Sequence, residues 1–346
     1  MSASTTSPTT PTPGGPNGSR GKQPRGRIIA PPVSGQEMVL LAVVALLWLI
    51  LWWATPAFMT AGSIRPLLIE VAPIALIGVG MTVVIISAGI DVSVGSAMMV
   101  CGVVTARLLV NAEISLVVAL LVAIAVGAVL GAVNGVLTAW GRVHAIIITF
   151  GTLNVFAFVG RQIFGSRTVN GIPSTLDILG RGDSGRTLGV PHSFLLMMVI
   201  AAVAWWYLRQ TPGGRHYYAI GDDSAAAELA GVKVKHQVLY AYVLTGALVG
   251  LAAIFTIAKG TATLDQTIGS GKELAVIAAV VIGGTSIMGG RGSVLGTVLG
   301  ALLVQTVTSG VTQLGWPSQL ADLFVGVFVI IAVGADLLRE RARRNI

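Results

Sequence analysis

Charge is scarce in this chain. Asp, Glu, Lys and Arg make up 10% of its 346 residues, while apolar residues reach 54%. A soluble domain carries about 25% charged residues, so a soluble globular protein is excluded, and the mean hydropathy of +0.85 points to a polytopic membrane protein. Cysteine is nearly absent. Cys101 stands alone in an apolar run, which rules out an intrachain disulfide and leaves a small packing residue. The histidines His144, His192, His216 and His236 are scattered without metal-ligand spacing. No phosphate-binding G-x-x-x-x-G-K-[ST] run occurs: Glu273 follows Gly271-Lys272, and Gln266 stands where its first glycine should be. The chain therefore carries no P-loop for ATP. Neither a Ser/His/Asp set nor paired intramembrane aspartates are present, and an enzyme is not expected. The net charge of +8 would suggest nucleic acid in a soluble protein. Here it fits basic residues gathered at cytoplasmic helix ends, and no nucleic-acid partner is expected.

What is present is a series of apolar runs. At roughly 20 residues per span, the length suits about ten transmembrane helices. Residues 1–36 are rich in Ser, Thr, Pro and Gly and end in Arg20, Lys22, Arg25 and Arg27. They read as a disordered cytoplasmic tail. Residues 37–338 form the transmembrane domain, with spans near 38–57, 64–86, 97–110, 115–140, 145–164, 193–208, 238–257 and 320–335 and two more flanking position 285. A polar stretch, 211–236, separates the sixth and seventh. Residues 339–346, with Arg339, Arg341, Arg343 and Arg344, form a basic cytoplasmic tail. With both termini inside, more Lys and Arg fall on the cytoplasmic side than outside. Pro73 predicts a kink in the second span. Gly127, Gly131 and Gly135 recur at the spacing of Gly292, Gly296 and Gly300. Small residues at that spacing let helices approach closely, and the recurrence suggests two inverted halves of about four helices each.

Two stretches break the apolar pattern. One is Gly89-Ile90-Asp91-Val92-Ser93-Val94-Gly95-Ser96. The other follows the Lys272–Glu273 pair and a run too short to span a bilayer comfortably: Gly283, Gly284, Thr285 and Ser286, then Gly289, Gly290, Arg291 and Gly292. Irregular backbone at membrane depth survives only where protein or a water-filled path satisfies it, and such breaks point to a transport pathway. The alternative is a tight turn between ordinary helices. Asp91 and Glu273 are expected near helix ends, Asp91 as a candidate cap. Intramembrane polar residues are expensive and hence candidates for function. Glu70, Asn134, Thr149, Thr152, Asn154, Gln162, Thr285 and Ser286 form such a set. Leaving out Glu70, the set could line a path for a neutral polyol, which needs many uncharged hydrogen-bond partners. For any one of them, interhelical bonding is the competing role.

Glu273-Leu274, Ile277-Ala278-Ala279, Ile282-Gly283-Gly284-Thr285-Ser286 and Gly289-Gly290-Arg291-Gly292 resemble the C-terminal signature of simple-sugar ABC importer permeases. That family serves ribose, arabinose, xylose, rhamnose and autoinducer-2 uptake. Asp91 and Gly95 lie in its N-terminal signature, and the resemblance runs from about Leu40 to Leu338. Details near Asn111 and Gly315-Trp316-Pro317 are most similar to autoinducer-2-type members. The resemblance implies an ATPase-coupling helix at 224–231, with Asp222, Asp223, Ala225, Ala226, Glu228 and Gly231 as its candidate contacts. Asp222-Asp223 replaces the family's commoner Gly-Asn, Glu228 replaces a frequent basic residue, and His144 replaces a usual Pro.

The implied function is the permease subunit of an ATP-driven importer for a monosaccharide or small polyol, in the cell membrane. Implied partners are a second permease copy or paralogue, a cytosolic ATP-binding subunit that supplies ATP hydrolysis, an extracytoplasmic solute-binding protein and membrane lipid. A stand-alone secondary transporter or channel is the alternative.

Overall fold

The computed structural model describes residues 35–141, 143–165, 167–180, 184–260 and 263–344. The chain divides into two units, Met1–Ser34 and Gly35–Ile346, and only the second is described. Arg20, Lys22, Arg25 and Arg27 of the expected tail lie outside the described residues.

The described chain is helical: α1 (Gly35–Ala54), α2 (Ala61–Ile86), α3 (Val94–Asn111), α4 (Leu116–Trp140), α5 (Ala145–Phe164), α6 (His192–Gln210), α7 (Pro212–Asp222), α8 (Ser224–Leu229), α9 (Val234–Lys259), α10 (Lys272–Ile282), α11 (Val294–Gln313) and α12 (Gln319–Arg344). Eight of them, α1 to α6, α9 and α11, are long and apolar enough to cross a membrane. At 1.5 Å per residue, α10 is about 17 Å long with its 11 residues, half a bilayer. The apolar part of α12 is Gln319–Gly334. The molecule is an all-α polytopic membrane protein.

Helix α2 is the hub. It is buried along most of its length, which is why it is apolar all round. It packs against α6, α9, α10 and α11, and despite Pro66 and Pro73 it is assigned as one helix from Ala61 to Ile86. Helices α4, α5 and α6 bury one stripe and expose the rest.

The packing has an internal regularity. Exchange α2, α3, α4 and α5 for α9, α10, α11 and α12, and every substantial contact among these eight maps onto another or, as for α2–α9, onto itself. Thus α4–α9 becomes α11–α2, α3–α5 becomes α10–α12, and α3–α9 becomes α10–α2. The glycine spacing does not reflect it, however. In α4, a Cβ on Gly127 or Gly131 would run into the α9 backbone at Gly246 and Tyr242. In α11, Gly296 and Gly300 meet Gly283 and Ala279 at the end of α10. Gly292 precedes α11 altogether. The two ladders serve different partners, because each arises where its own helix pair must close.

Other expectations shift. Within the polar stretch 211–236 the helix expected from Ser224 is α8, and the part before it is helical too, as α7, with α9 starting at Val234. The last span continues as helix to Arg344, through most of the expected basic tail. On the side away from α7, Val169–Asn170 pairs antiparallel with Thr263–Leu264, tying together the loops after α5 and after α9.

Candidate functional site

Both breaks and α7 meet at one junction. The first break begins where α2 ends at Ile86. Asp91 is only 3% exposed and accepts from the Ser93 N–H at 2.9 Å and the Ser93 hydroxyl at 2.7 Å. Asn134 of α4 donates Nδ2 to both Asp91 oxygens, at 3.3 and 3.2 Å, and lies 2.7 Å from Ser93 Oγ. Asp91 therefore does not cap α3 as expected. The N-cap is Ser93, which makes no side-chain cap bond, and Asp91 instead fixes the turn before it. Thr149 of α5 donates to the Ile90 carbonyl at 3.0 Å, and Thr152 bonds back to the Thr149 carbonyl at 3.2 Å within α5. Asn134 and Thr149, read as possible path residues, hold the first break in place.

The second break runs from Gly283 to Ser293. Gly283 faces Gly296 at backbone contact. Gly284, Gly289 and Gly290 have φ of +89°, +88° and +71°, the region that glycine alone enters cheaply. The chain closes on itself, with Ser286 N–H to Arg291 O at 3.0 Å and Gly289 N–H to Ser286 O at 3.0 Å. Four elements then pin it. Gly290 N–H donates to Ile86 O at 2.9 Å. Tyr218 of α7 donates to Gly292 O at 3.2 Å. Ser286 donates to Asp336 of α12 at 2.8 Å. Ser293, the N-cap of α11, donates to the buried carboxylate of Glu37 in α1. Thr285 is buried and its hydroxyl has no hydrogen-bond partner among the described residues.

Gly221 of α7 closes the junction. A Cβ there would collide with Ile86 O and Gly290 N, so α7 lies directly on the bond joining the breaks. The chain then turns into α8. Asp223 is its N-cap, accepting from Ala225 N–H at 2.9 Å and Ala226 N–H at 3.0 Å. Gly231, at φ +87°, ends it with bonds from Gly231 N–H to Glu228 O at 2.9 Å and Val232 N–H to Ala227 O at 3.0 Å. That pair of bonds is a Schellman stop. Asp222, Ala225, Ala226, Glu228 and Leu229 are exposed, Leu229 at 91%, whereas Ala227 is buried.

Elsewhere, Gly95 sits where a Cβ would meet Glu273 and the Gly269 carbonyl, so the starts of α3 and α10 touch. Glu70 of α2 accepts from Lys259 at 2.5 Å and lies 3.8 Å from Lys272, while Gln305 of α11 donates to its carbonyl at 3.2 Å. In the loop before α10, Asp265 accepts from the Thr267 hydroxyl and N–H, which hold its carboxyl below the usual range. Asn154 and Gln162 join neither break. They lie exposed on α5 beside Phe150 and Phe158, with Asn154 donating to Phe150 O at 3.0 Å. Among the described residues no group of His, Cys, Asp and Glu is placed to hold a metal ion. Sequence reasoning missed the roles of Glu37, Asp336 and Gly221, none of which carries a local signal beyond its residue type.

A bundle of spanning helices with two irregular breaks, joined to a helical pair projecting from one end, defines a polytopic membrane transport subunit. The comparisons agree. Residues 63–333 match the family described as branched-chain amino acid transport system permease component, and the chain belongs to it. It is 37% identical over 300 residues to the ribose import permease protein RbsC of Escherichia coli (strain K12), covering 86% of this chain and 91% of that one. It is 31% identical to the autoinducer 2 import system permease protein LsrC of Shigella flexneri, over 90% of each chain. It is 30% identical to the D-allose transport system permease protein AlsC of Escherichia coli (strain K12), over 81% and 85%. Identity to the ribose permease thus exceeds identity to the autoinducer-2 one. No solved structure matches. The chain is a multi-pass inner-membrane transport permease.

Proposed function

We propose that this chain is the membrane-spanning permease of an ATP-driven importer for a monosaccharide or related small polyol, driven by a separate ATPase that docks on α7 and α8. The observation that carries the reading is Gly221 lying on the Ile86–Gly290 bond. A push on α7 reaches both breaks through backbone alone. ATP is bound by the partner, and this chain needs no cofactor of its own. Relatives named for ribose and allose support the solute class.

In this reading the end bearing α7 and α8 is cytoplasmic, about ten crossings form two inverted halves, and both termini lie inside. A second copy or paralogue covers the α5 face that bears Asn154 and Gln162. Amide side chains in a spanning helix are costly against lipid, so this face belongs on a protein contact or a water-filled path. Thr152, Thr285 and Ser286 stand as further path candidates. An extracytoplasmic binding protein delivers the solute at the end bearing Glu70, Lys259 and Lys272.

The test is reconstitution in vesicles with the ATPase and binding protein, following labelled ribose. ATP-dependent uptake that vanishes without the ATPase is expected. Uptake that persists without it would make the chain a stand-alone transporter or channel.

A further inference from the structure

We propose that the groove between α2, α6 and α9 binds one acyl chain of a bilayer phospholipid, at the end of the bundle that carries α7. The groove is a cavity of about 280 Å³ lined by Val79 and Val83 of α2, Ile200 and Val203 of α6, and Leu244 and Leu248 of α9, with Tyr217 of α7 at one end. Its walls are apolar, so it has nothing to offer a sugar, which needs hydrogen-bond partners.

Its place in the fold says what fills it. All three flanking helices are membrane-spanning by length and composition. The lip of the groove is an outward face, with Val203 60% and Trp206 55% exposed. Solvent on that face is lipid, and a recess there that stayed empty would forfeit the contacts of its lining. The depth is marked too. Trp205, Trp206 and Tyr207 form an aromatic belt of the kind found at a membrane interface, and Arg209 follows, stacked 5.5 Å from the Trp205 ring. The phosphate of a lipid whose tail enters the groove lies at the level of this cation. Because Tyr217 stands on α7, the tail packs against the helix that seats on both breaks.

The intact permease, purified in mild detergent and incubated with dioleoyl phosphatidylglycerol, tests this by native mass spectrometry. Wild type should retain about one lipid per chain. Val203→Trp with Leu244→Trp fills the groove and should cut the retained fraction about tenfold, a change of 1.4 kcal/mol. Val129→Trp with Val136→Trp, on the exposed face of α4, should retain as wild type does. Equal retention by the filled and control variants overturns the proposal. Should the filled variant misfold, the wild type is irradiated with a phosphatidylglycerol carrying a photoreactive acyl chain. Adducts concentrated at 200–208 and 244–248 are expected. Adducts spread evenly over α4, α5 and α6 overturn the site. Cross-links between two chains through a cysteine at Val203 also overturn it, by showing a second copy in the groove.

Discussion

Gly290 donates its N–H to the Ile86 carbonyl across 2.9 Å, which ties the break after α10 to the end of α2. The bond is backbone to backbone, so no side-chain rotation can slacken it. It runs between the hub helix and a segment that three other elements, α1, α7 and α12, also hold. A displacement at this point is shared by both breaks, and α7 rests on it through Gly221.

Gly221→Val tests that contact. The added side chain has only backbone atoms to displace, and overpacking of this kind costs about 1–3 kcal/mol. Helix α7 should lift from the junction. Labelled-sugar uptake with the ATPase present should fall about tenfold or more, while the amount of permease in the membrane fraction stays near wild type. Unchanged uptake would mean that α7 does not act through this contact.

Asn134 and Asn154 should behave oppositely. Asn134→Ala strips the buried Asp91 of a donor, and an unsatisfied buried polar group costs about 1–3 kcal/mol. Its thermal unfolding in detergent should shift down clearly. Asn154→Ala loses only a bond to its own helix, so its melting should hold while uptake falls. Matching melting shifts for the two would sink this division.

That division marks where sequence reading stops. The fifth span, read at 145–164, coincides with α5, because a long apolar run in lipid has one satisfied state, the helix. The breaks were legible for a similar local reason, since glycine clusters interrupt the runs. Which polar residue meets which break was not. Asn134 and Asn154 are chemically identical, and only the packing of α4 against the first break separates them. Glu37 drew no reading as the first residue of the transmembrane domain, yet its carboxylate serves the N-cap of α11, far along the chain. Burial and long-range pairing decide these roles, and neither is local.

The Glu70–Lys259–Lys272 cluster should tolerate joint removal better than single reversal. Glu70 is 39% exposed at its side chain, so screening keeps the pair near the 0–1 kcal/mol of surface ion pairs. Glu70→Gln with Lys259→Met should melt close to wild type. Glu70→Lys brings three cations together and should lower both melting temperature and yield, less so at high salt, which screens repulsion. A salt-independent loss would show that packing, not charge, is what the reversal breaks.

The tip of the α7–α8 pair carries the last prediction. Helix α8 has only six residues, too few to be stable alone. Its shape rests on the Asp223 cap, the Gly231 stop and the buried Ala227. Losing an Asp N-cap costs about 0.5–2 kcal/mol, a large share of what so short a helix has. Asp223→Ala should therefore loosen α8, and Asp223→Asn, which keeps a capping oxygen, should largely restore it. Were Asp223 needed for its charge against a basic ATPase surface, Asn would fail as Ala does. The exposed face offers Ala225, Ala226 and Leu229 for close approach, with Asp222 and Glu228 beside them. A Leu at 91% exposure gains by burial about 1.5–3 kcal/mol, so Leu229→Asp should weaken ATPase association more than Glu228→Gln does. Ala226→Trp should block the fit by bulk. Co-purification of the ATPase with each variant reads all five directly. Full retention of the ATPase by Leu229→Asp and Ala226→Trp together would place the docking surface elsewhere.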